Sequence, residues 1–193
     1  FLQVCTAGCN FRCDGCVSEI LVDHAESLAL SKSALSKEDV IRSAREHGCI
    51  GISFALNDPI ASFPTFGRLA RIAREQGLLV GCSTNGYLTV HSLQTLIPLL
   101  DYVNIGLKGA SDRCYRSCGA QSAYPVFYTI AQMFHAAVHV EVSLVYRKGQ
   151  EDEVLCAAER IAGISREIPL QLMRFVPFGD TTPGSEPTIF ESE

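Results

Sequence analysis

Residues 36–54, SKEDVIRSAREHGCIGISF, have the pattern of one complete helix-to-strand unit. Ser36 opens it as a near capping box, and Val40, Ile41 and Ala44 recur on one helical face. A glycine then ends the helix, and the run CIGISF has the apolar, β-branched character of a buried strand. The unit predicts an amphipathic helix followed directly by a strand, which is the repeating element of α/β folds.

The same alternation extends along the rest of the chain in both directions. Amphipathic segments are predicted to form helices over 66–73, 90–99, 111–117, 124–136 and 151–164. Short apolar runs are predicted to form six strands: Phe1–Cys5, Cys49–Phe54, Leu78–Ser83, Tyr102–Leu107, His139–Tyr146 and Pro169–Val176.

Six strands joined by helical crossovers predict parallel pairing and right-handed βα units. The 193 residues suffice for six such units and not for eight. We therefore predict an α/β fold, a partial (β/α)6 TIM-type barrel with parallel strands, and we keep a flat doubly wound sheet as the alternative. Residues 1–193 are predicted to form a single domain, with the barrel over 1–180 and an irregular tail over 181–193. Because the chain begins without a methionine, we expect it to be a fragment.

Composition narrows the class of protein. A net charge of −5 argues against a nucleic-acid surface or an anionic-membrane surface, both of which need a basic excess. No apolar run approaches the roughly 20 residues of a membrane span. The nine cysteines are an odd number in a long chain with βα patterning, which favours a reducing compartment over a secreted disulfide framework. We expect a cytoplasmic protein with neither nucleic acid nor membrane as partner.

Three cysteines crowd into one loop after the first predicted strand. Cys9, Cys13 and Cys16 lie in CNFRCDGC, at spacings of four and three residues. Thiolates suit zinc or iron–sulfur clusters, and structural zinc usually takes four protein ligands in two pairs. No second pair follows, so three cysteines leave one metal position open. Cys5 and Cys156 are expected to be core residues. A zinc knuckle or simple buried thiols stay open as alternatives at this point.

Polar residues also follow or end the other predicted strands. In parallel α/β folds the reactive groups collect at the carboxyl ends of the strands. Local roles are equally open for these residues: a turn at Asp58, a helix cap after the third strand, and a solvent-directed Lys108. The candidate site residues are Asn57, Asp58, Ser83, Thr84, Asn85, Lys108 and Ser143.

The CNFRCDGC loop resembles the CxxxCxxC cluster-binding loop of the radical S-adenosylmethionine (radical SAM) superfamily. The resemblance continues, in order, through ISFALNDPI, ARIAREQGLLVGCSTNGY, DYVNIGLKG and EVSLVY. These blocks resemble the branch that contains the pyruvate formate-lyase activating enzymes, and the AmmeMemoRadiSam-like proteins more closely still. Each block lies at the end of a predicted strand.

This resemblance implies a 4Fe–4S cluster on Cys9, Cys13 and Cys16, with S-adenosylmethionine chelating the fourth iron. One-electron reduction would release a 5′-deoxyadenosyl radical, which would abstract hydrogen from an unidentified substrate. A glycyl-radical-type protein is one candidate substrate. The resemblance also implies an electron donor of the flavodoxin or ferredoxin type. A non-catalytic zinc- or iron–sulfur-binding α/β module is the alternative, as is a degenerate family member that no longer cleaves the cofactor.

The resemblance also assigns cofactor contacts and shows departures. It implies that Asn57 and Asp58 receive the methionine ammonium, and that residues 83–85, Lys108 and Ser143 lie near the cofactor. Asp58 is one carbon shorter than the usual glutamate, and Ser83 and Gly106 replace two acids that hold a cation in the activating enzymes, so no such cation site is expected. Gly15 replaces an aromatic residue that packs over the adenine. Phe11 and Tyr87 are the candidates to compensate.

Overall fold

The computed structural model describes residues 1–23, 35–177 and 186–188. Six parallel strands form one sheet: β1 (Leu2–Val4), β2 (Gly51–Phe54), β3 (Leu79–Thr84), β4 (Tyr102–Leu107), β5 (His139–Tyr146) and β6 (Leu170–Arg174). The α-helices of the described part are α1 (Glu19–Asp23), α2 (Lys37–Glu46), α3 (Phe63–Glu75), α4 (Val90–Leu96), α5 (Asp112–Arg116), α6 (Tyr124–His135) and α7 (Glu151–Ile164). Short 3₁₀ turns at Pro59–Ser62 and Ile97–Leu99 complete the elements.

The strand order decides between the two predicted architectures. Each strand pairs in parallel with the next one along the chain, in the order β1 to β6. Right-handed crossovers that all advance in one direction place their helices on the same face of the sheet, whereas a doubly wound sheet reverses direction. The partial (β/α)6 barrel is therefore confirmed, and the doubly wound alternative is wrong. Within the described residues the sheet is open, with β1 and β6 as its edges.

The two faces of the sheet differ in polarity. On β4, Val103, Ile105 and Leu107 are buried under the helices, while Asn104 and Gly106 alternate with them on the other face. Cross-strand register carries this alternation to the neighbouring strands. We call the face away from the helices the inner face; its polar members in register are Gln3, Ser53, Ser83, Asn104, Glu141, Ser143 and Gln171.

Aromatic rings cover the inner face at the amino ends of the strands. The Tyr102 ring lies directly against Gly81, where any side chain would overlap it, and Phe1 lies against Gly51. The two rings meet edge to face with centroids 5.0 Å apart. Glycines are needed on these strands because the rings occupy the space of a side chain. The polar end of the inner face is therefore the carboxyl end of the strands.

The predicted helix cap and core positions of α2 are confirmed. The Asp39 amide donates to the Ser36 hydroxyl over 3.1 Å, and the Ser36 amide donates to the Asp39 carboxylate over 3.3 Å. Val40, Ile41 and Ala44 are buried. The helix therefore begins and packs as its sequence predicts.

Two predicted core cysteines are exposed instead. Cys5 follows Val4, which faces the helices. Because successive side chains of a strand point to opposite faces, the Cys5 side chain points away from the helices at the edge of the sheet. Cys156 precedes Ala157, which is one of the two buried positions of α7 with Ile161. One helical residue rotates a side chain by about 100°, which takes Cys156 off the buried stripe.

Most of the predicted tail over 181–193 lies outside the described residues, of which only 186–188 belong to it. In the described part of the chain, every helix is too short or too polar to cross a membrane.

Candidate active site

The segment after β1, residues 5–18, carries Cys5 and the three cysteines of the CxxxCxxC motif and is called the cysteine loop. Its first contact is with the end of β2. The Thr6 amide donates to Asn57 Oδ1 over 3.0 Å, and Asn57 Nδ2 donates to the Thr6 hydroxyl over 2.7 Å and to the Gly8 carbonyl over 3.0 Å. Asn57 is buried and fully engaged in these bonds. Its observed role is to join the start of the cysteine loop to β2.

The next part of the cysteine loop contacts the segment after β3. Asn85 Nδ2 donates to Asn10 Oδ1 over 2.6 Å, and Asn10 Nδ2 donates to the Tyr87 carbonyl over 3.1 Å. The Tyr87 amide in turn donates to Asn85 Oδ1 over 2.8 Å. These reciprocal amide contacts place the loop beside the predicted cofactor residues of β3.

The loop then contacts the segments after β4 and β5. The Arg12 amide donates to the Cys118 carbonyl over 3.0 Å, just beyond α5. Arg147, which follows β5, donates from Nη2 to the Asp14 carbonyl over 3.1 Å. The cysteine loop therefore contacts the segments that follow β2, β3, β4 and β5, in that order along the loop.

The Cys9 sulfur receives two N–H groups. The Phe11 amide lies 3.3 Å from Sγ, and Asn85 Nδ2 lies 3.7 Å from it. Burial raises the pKa of the Cys9 thiol, while the two donors lower it in part; the charges of Asp58 and Cys16 raise it further. N–H donors aimed at a sulfur stabilise a thiolate and are a means by which proteins tune iron–sulfur ligands. The surroundings of Cys9 therefore fit a metal-bound thiolate.

Cys13 shares a hydrogen bond with Cys118. This bond raises the pKa of the Cys13 thiol and lowers that of Cys118 to about 7, because Cys118 accepts the shared proton in its thiolate form. The Lys108 charge favours the thiolate of both residues, and Cys16 is near enough to raise the pKa of Cys13. Cys16 thus lies within electrostatic reach of both Cys9 and Cys13.

The chemistry of this donor set fits an iron–sulfur cluster. Among the residues that the structure describes, no three His, Cys, Asp or Glu side chains converge on one point as they would around a single metal ion. A cubane binds each thiolate at a different iron atom, so its ligands need not converge in that way. Cys9, Cys13 and Cys16 are half-buried in one loop and would be the protein ligands of such a cluster.

The carboxylate of Asp58 is occupied by donors from its own protein. It is 4% exposed and accepts from the Thr84 hydroxyl over 3.0 Å, from the Asn85 amide over 2.7 Å and from the Ile60 amide over 3.1 Å. Burial raises its pKa above the ordinary value, while these donors and Lys108 lower it in part. The observed role of Asp58 is to hold the end of β3 against the turn after β2.

Lys108 points into the site from the end of β4. Its Nζ lies 3.8 Å from the position that a Cβ on Gly106 would take, and the Ser143 hydroxyl lies 3.9 Å from the same position. Ser143 itself is buried and donates to Asn104 Oδ1 over 2.9 Å. Because Gly106 has no side chain, the inner face has room for about one methyl group among Lys108, Ser143 and the Thr84 carbonyl.

The structure thus brings most of the predicted site residues to one edge of the sheet. Ser83 is half-buried on the inner face, in register with Asn104. Of the two aromatic candidates for the adenine, Phe11 is 3% exposed and packs into the core against Tyr87 at a centroid distance of 5.3 Å. Tyr87 is half-buried, so it is the more exposed of the two candidates.

Sequence reasoning missed four residues that the fold adds to this edge. Asn10 lies in the quoted cysteine motif, and its amide between two cysteines is a signal that could have found it. Cys118 does carry a local signal, since its i, i+4 spacing with Cys114 on a predicted helix allows a metal pair, but buried or half-buried thiols were the favoured interpretation of these two. No local pattern marks Asn104 or Arg147, because each reaches the site only through the packing of distant segments.

The sequence of this chain is similar to sequences of known proteins. A family model described as the radical SAM superfamily matches residues 4–160. The chain is 27% identical over 184 residues to an uncharacterized protein of Methanocaldococcus jannaschii, a match that covers 91% of this chain and 53% of the relative. The chain therefore spans about half the length of this curated relative.

Two solved structures show the same fold. A radical SAM methyltransferase from Sphaerobacter thermophilus matches with a TM-score of 0.65 and 18% identity, over 98% of this chain and 60% of its own. A domain of the pyruvate-formate lyase-activating enzyme from Bacteroides vulgatus matches with a TM-score of 0.54 and 15% identity, over 67% of this chain and 81% of its own.

Proposed function

The chain belongs to the radical SAM superfamily, and we propose that it cleaves S-adenosylmethionine reductively at a 4Fe–4S cluster held by Cys9, Cys13 and Cys16. The observation that carries the proposal is the cysteine loop itself. It is hydrogen-bonded to the segments that follow four successive strands, with two N–H groups on the Cys9 sulfur. When bound, the cluster and S-adenosylmethionine supply an electron and a 5′-deoxyadenosyl radical that abstracts hydrogen from a substrate.

The chain's own residues bind and orient the reacting groups. Asn85 orients the Cys9 side of the loop through Asn10, and Asp58 holds Thr84 and the Asn85 backbone in place. Lys108 supplies a positive charge beside Cys13 and Asp58. The ammonium-binding role expected of Asp58 stays a prediction, and its internal hydrogen bonds favour an indirect role. Ser83 and Ser143 are proposed as further cofactor contacts from the inner face.

The substrate would meet the polar inner face beneath the cysteine loop. The polar side chains of this face favour a substrate with hydrogen-bonding atoms. We propose membership of the activating-enzyme-like branch, with a glycyl-radical-type protein as one candidate substrate. A cytoplasmic location and an electron donor of the flavodoxin or ferredoxin type belong to the same proposal.

The test is anaerobic reconstitution with iron and sulfide, followed by reduction with dithionite in the presence of S-adenosylmethionine. We expect about four irons per chain and formation of 5′-deoxyadenosine. The triple variant C9A/C13A/C16A is the control and should give neither. A colourless protein that binds zinc would support the non-catalytic module. A cluster-loaded protein that forms no 5′-deoxyadenosine would support a degenerate family member.

A further inference from the structure

Arg147 joins the cysteine loop to the far side of the barrel. It directly follows β5 and is half-buried. Its Nη2 donates to the Asp14 carbonyl over 3.1 Å, and its guanidinium carbon lies 4.1 Å from the centroid of the Phe175 ring. Phe175 is 5% exposed, and its amide donates to the Tyr146 carbonyl over 2.9 Å. The guanidinium is therefore held from two sides.

This contact falls on the part of the loop that matters for metal binding. Asp14 and Gly15 form the turn between Cys13 and Cys16, and Gly15 has a φ of +67°, a conformation that favours glycine. The Asp14 carbonyl thus lies between two of the three predicted iron ligands. A guanidinium fixed on that carbonyl holds the turn and also places a permanent positive charge at the turn that links these two ligands.

We propose that Arg147 is a positioning residue that holds the turn between Cys13 and Cys16 and raises the reduction potential of the cluster. This inference rests on the proposed function. A reduced cluster carries one more negative charge than an oxidised one, so a nearby cation stabilises the reduced form more. Stacking on Phe175 keeps the charge from swinging into solvent, where screening would weaken this effect.

A second arginine, away from the cysteine loop, makes the same two kinds of interaction as Arg147. Arg160 on α7 also stacks on an aromatic ring, with its guanidinium carbon 3.5 Å from the Phe127 centroid, and it also donates to a backbone carbonyl, that of Ala110, over 2.5 Å. Its partner carbonyl belongs to the segment after β4. A purely structural role for such pairs predicts that losing either arginine alters stability and leaves the potential alone.

The experiment compares R147Q, R147K and R160Q with the wild-type protein. Each is reconstituted with iron and sulfide, and the midpoint potential is measured by redox titration followed by electron paramagnetic resonance. Iron per chain and thermal unfolding of the apoprotein are recorded for every variant. R147Q is expected to move the potential to a more negative value and to lower the iron content, whereas R147K keeps most of the potential because it keeps the charge. R160Q is expected to lower thermal stability without a comparable shift of potential.

The results of this experiment distinguish failure of the Arg147 inference from failure of the proposed function. A wild-type protein that takes up no 4Fe–4S cluster overturns both. A wild-type protein with a cluster, together with an R147Q variant of unchanged potential, overturns the role of Arg147 and leaves the proposed function standing. An R160Q variant that shifts the potential as much as R147Q also overturns it, because the effect would then be nonspecific.

Discussion

Asn85, at the end of β3, donates a 2.6 Å hydrogen bond to Oδ1 of Asn10 in the cysteine loop. The two residues are 75 positions apart in the chain, and the same amide group of Asn85 lies 3.7 Å from the Cys9 sulfur. A polar residue that sequence reasoning assigned to the cofactor thus also orients the loop that carries the predicted iron ligands. The cofactor residues and the metal ligands form one connected network.

The network predicts graded effects of changing Asn85. N85A removes both N–H donors while leaving the backbone bond to Asp58, and we expect it to lower stability by about 1–2 kcal/mol and iron content severalfold. N85D should retain less iron than N85A, because its carboxylate would repel the Cys9 thiolate and offer no donor. Iron and sulfide analysis after reconstitution checks the order. Equal iron content in all three proteins would contradict the orienting role of Asn85.

The predicted ligands should differ sharply from the exposed cysteines. C9A, C13A and C16A are each expected to lose most of the visible charge-transfer absorption and at least tenfold of the 5′-deoxyadenosine yield, since each would remove an iron ligand. C5A and C156A serve as matched controls, because both thiols are exposed and lie outside the CxxxCxxC motif. Loss of the cluster in C5A would show that the ligand set is larger than three.

Asp58 should give a pH-dependent contribution to stability. Burial raises its pKa in the folded protein above the value of about 3.9 expected in the unfolded chain. The folded state therefore retains a proton that the unfolded state has released, so this contribution to the free energy of unfolding falls as pH rises from about 4 through the raised folded pKa.

The variant D58N isolates this contribution, because an amide does not titrate. Its Nδ2 would face the N–H donors of Ile60 or Asn85, so we expect a loss of about 1–3 kcal/mol relative to the wild-type protein. Urea denaturation of the apoprotein at pH 5 and at pH 8 measures the difference between the two proteins. That difference should be smaller at pH 8, and a difference that grows with pH would contradict the raised pKa.

Substitution by alanine should change the stability of the protein differently at two inner-face glycines. At Gly106 the nearest atoms to a new Cβ would be 3.8–3.9 Å away, so G106A should change stability by less than about 1 kcal/mol and can stabilise by reducing the freedom of the unfolded chain. At Gly81 the methyl group would overlap the Tyr102 ring, so G81A should cost about 1–3 kcal/mol. Chemical denaturation compares the two, and equal effects would contradict the packing described for Tyr102.

The sequence predicted the α/β fold because its signals are local. A capped helix with Val40, Ile41 and Ala44 on one face depends on a period of 3.6 residues, and a buried strand depends on a short apolar run. Helical crossovers between such strands leave parallel pairing as the physical solution, and the chain length favoured six units, while the strand order of the structure decided for the partial barrel. The cysteine spacing and the polar strand ends were equally readable, because parallel strands bring their carboxyl ends to one edge.

Tertiary structure alone decided which of these groups meet. The bond from Arg147 to Asp14 joins residues 133 positions apart, and the contact of Cys118 with Cys13 depends on how α5 packs beneath the loop. Cys5 is exposed because side chains alternate between the two faces of β1, and Cys5 falls on the side away from the helices. The hydrogen bond between Asp58 and Thr84 depends on how the ends of two adjacent strands pack together. Sequence patterns report the periodicity of single elements, whereas these contacts arise from the register and curvature of the whole sheet, which no single segment encodes.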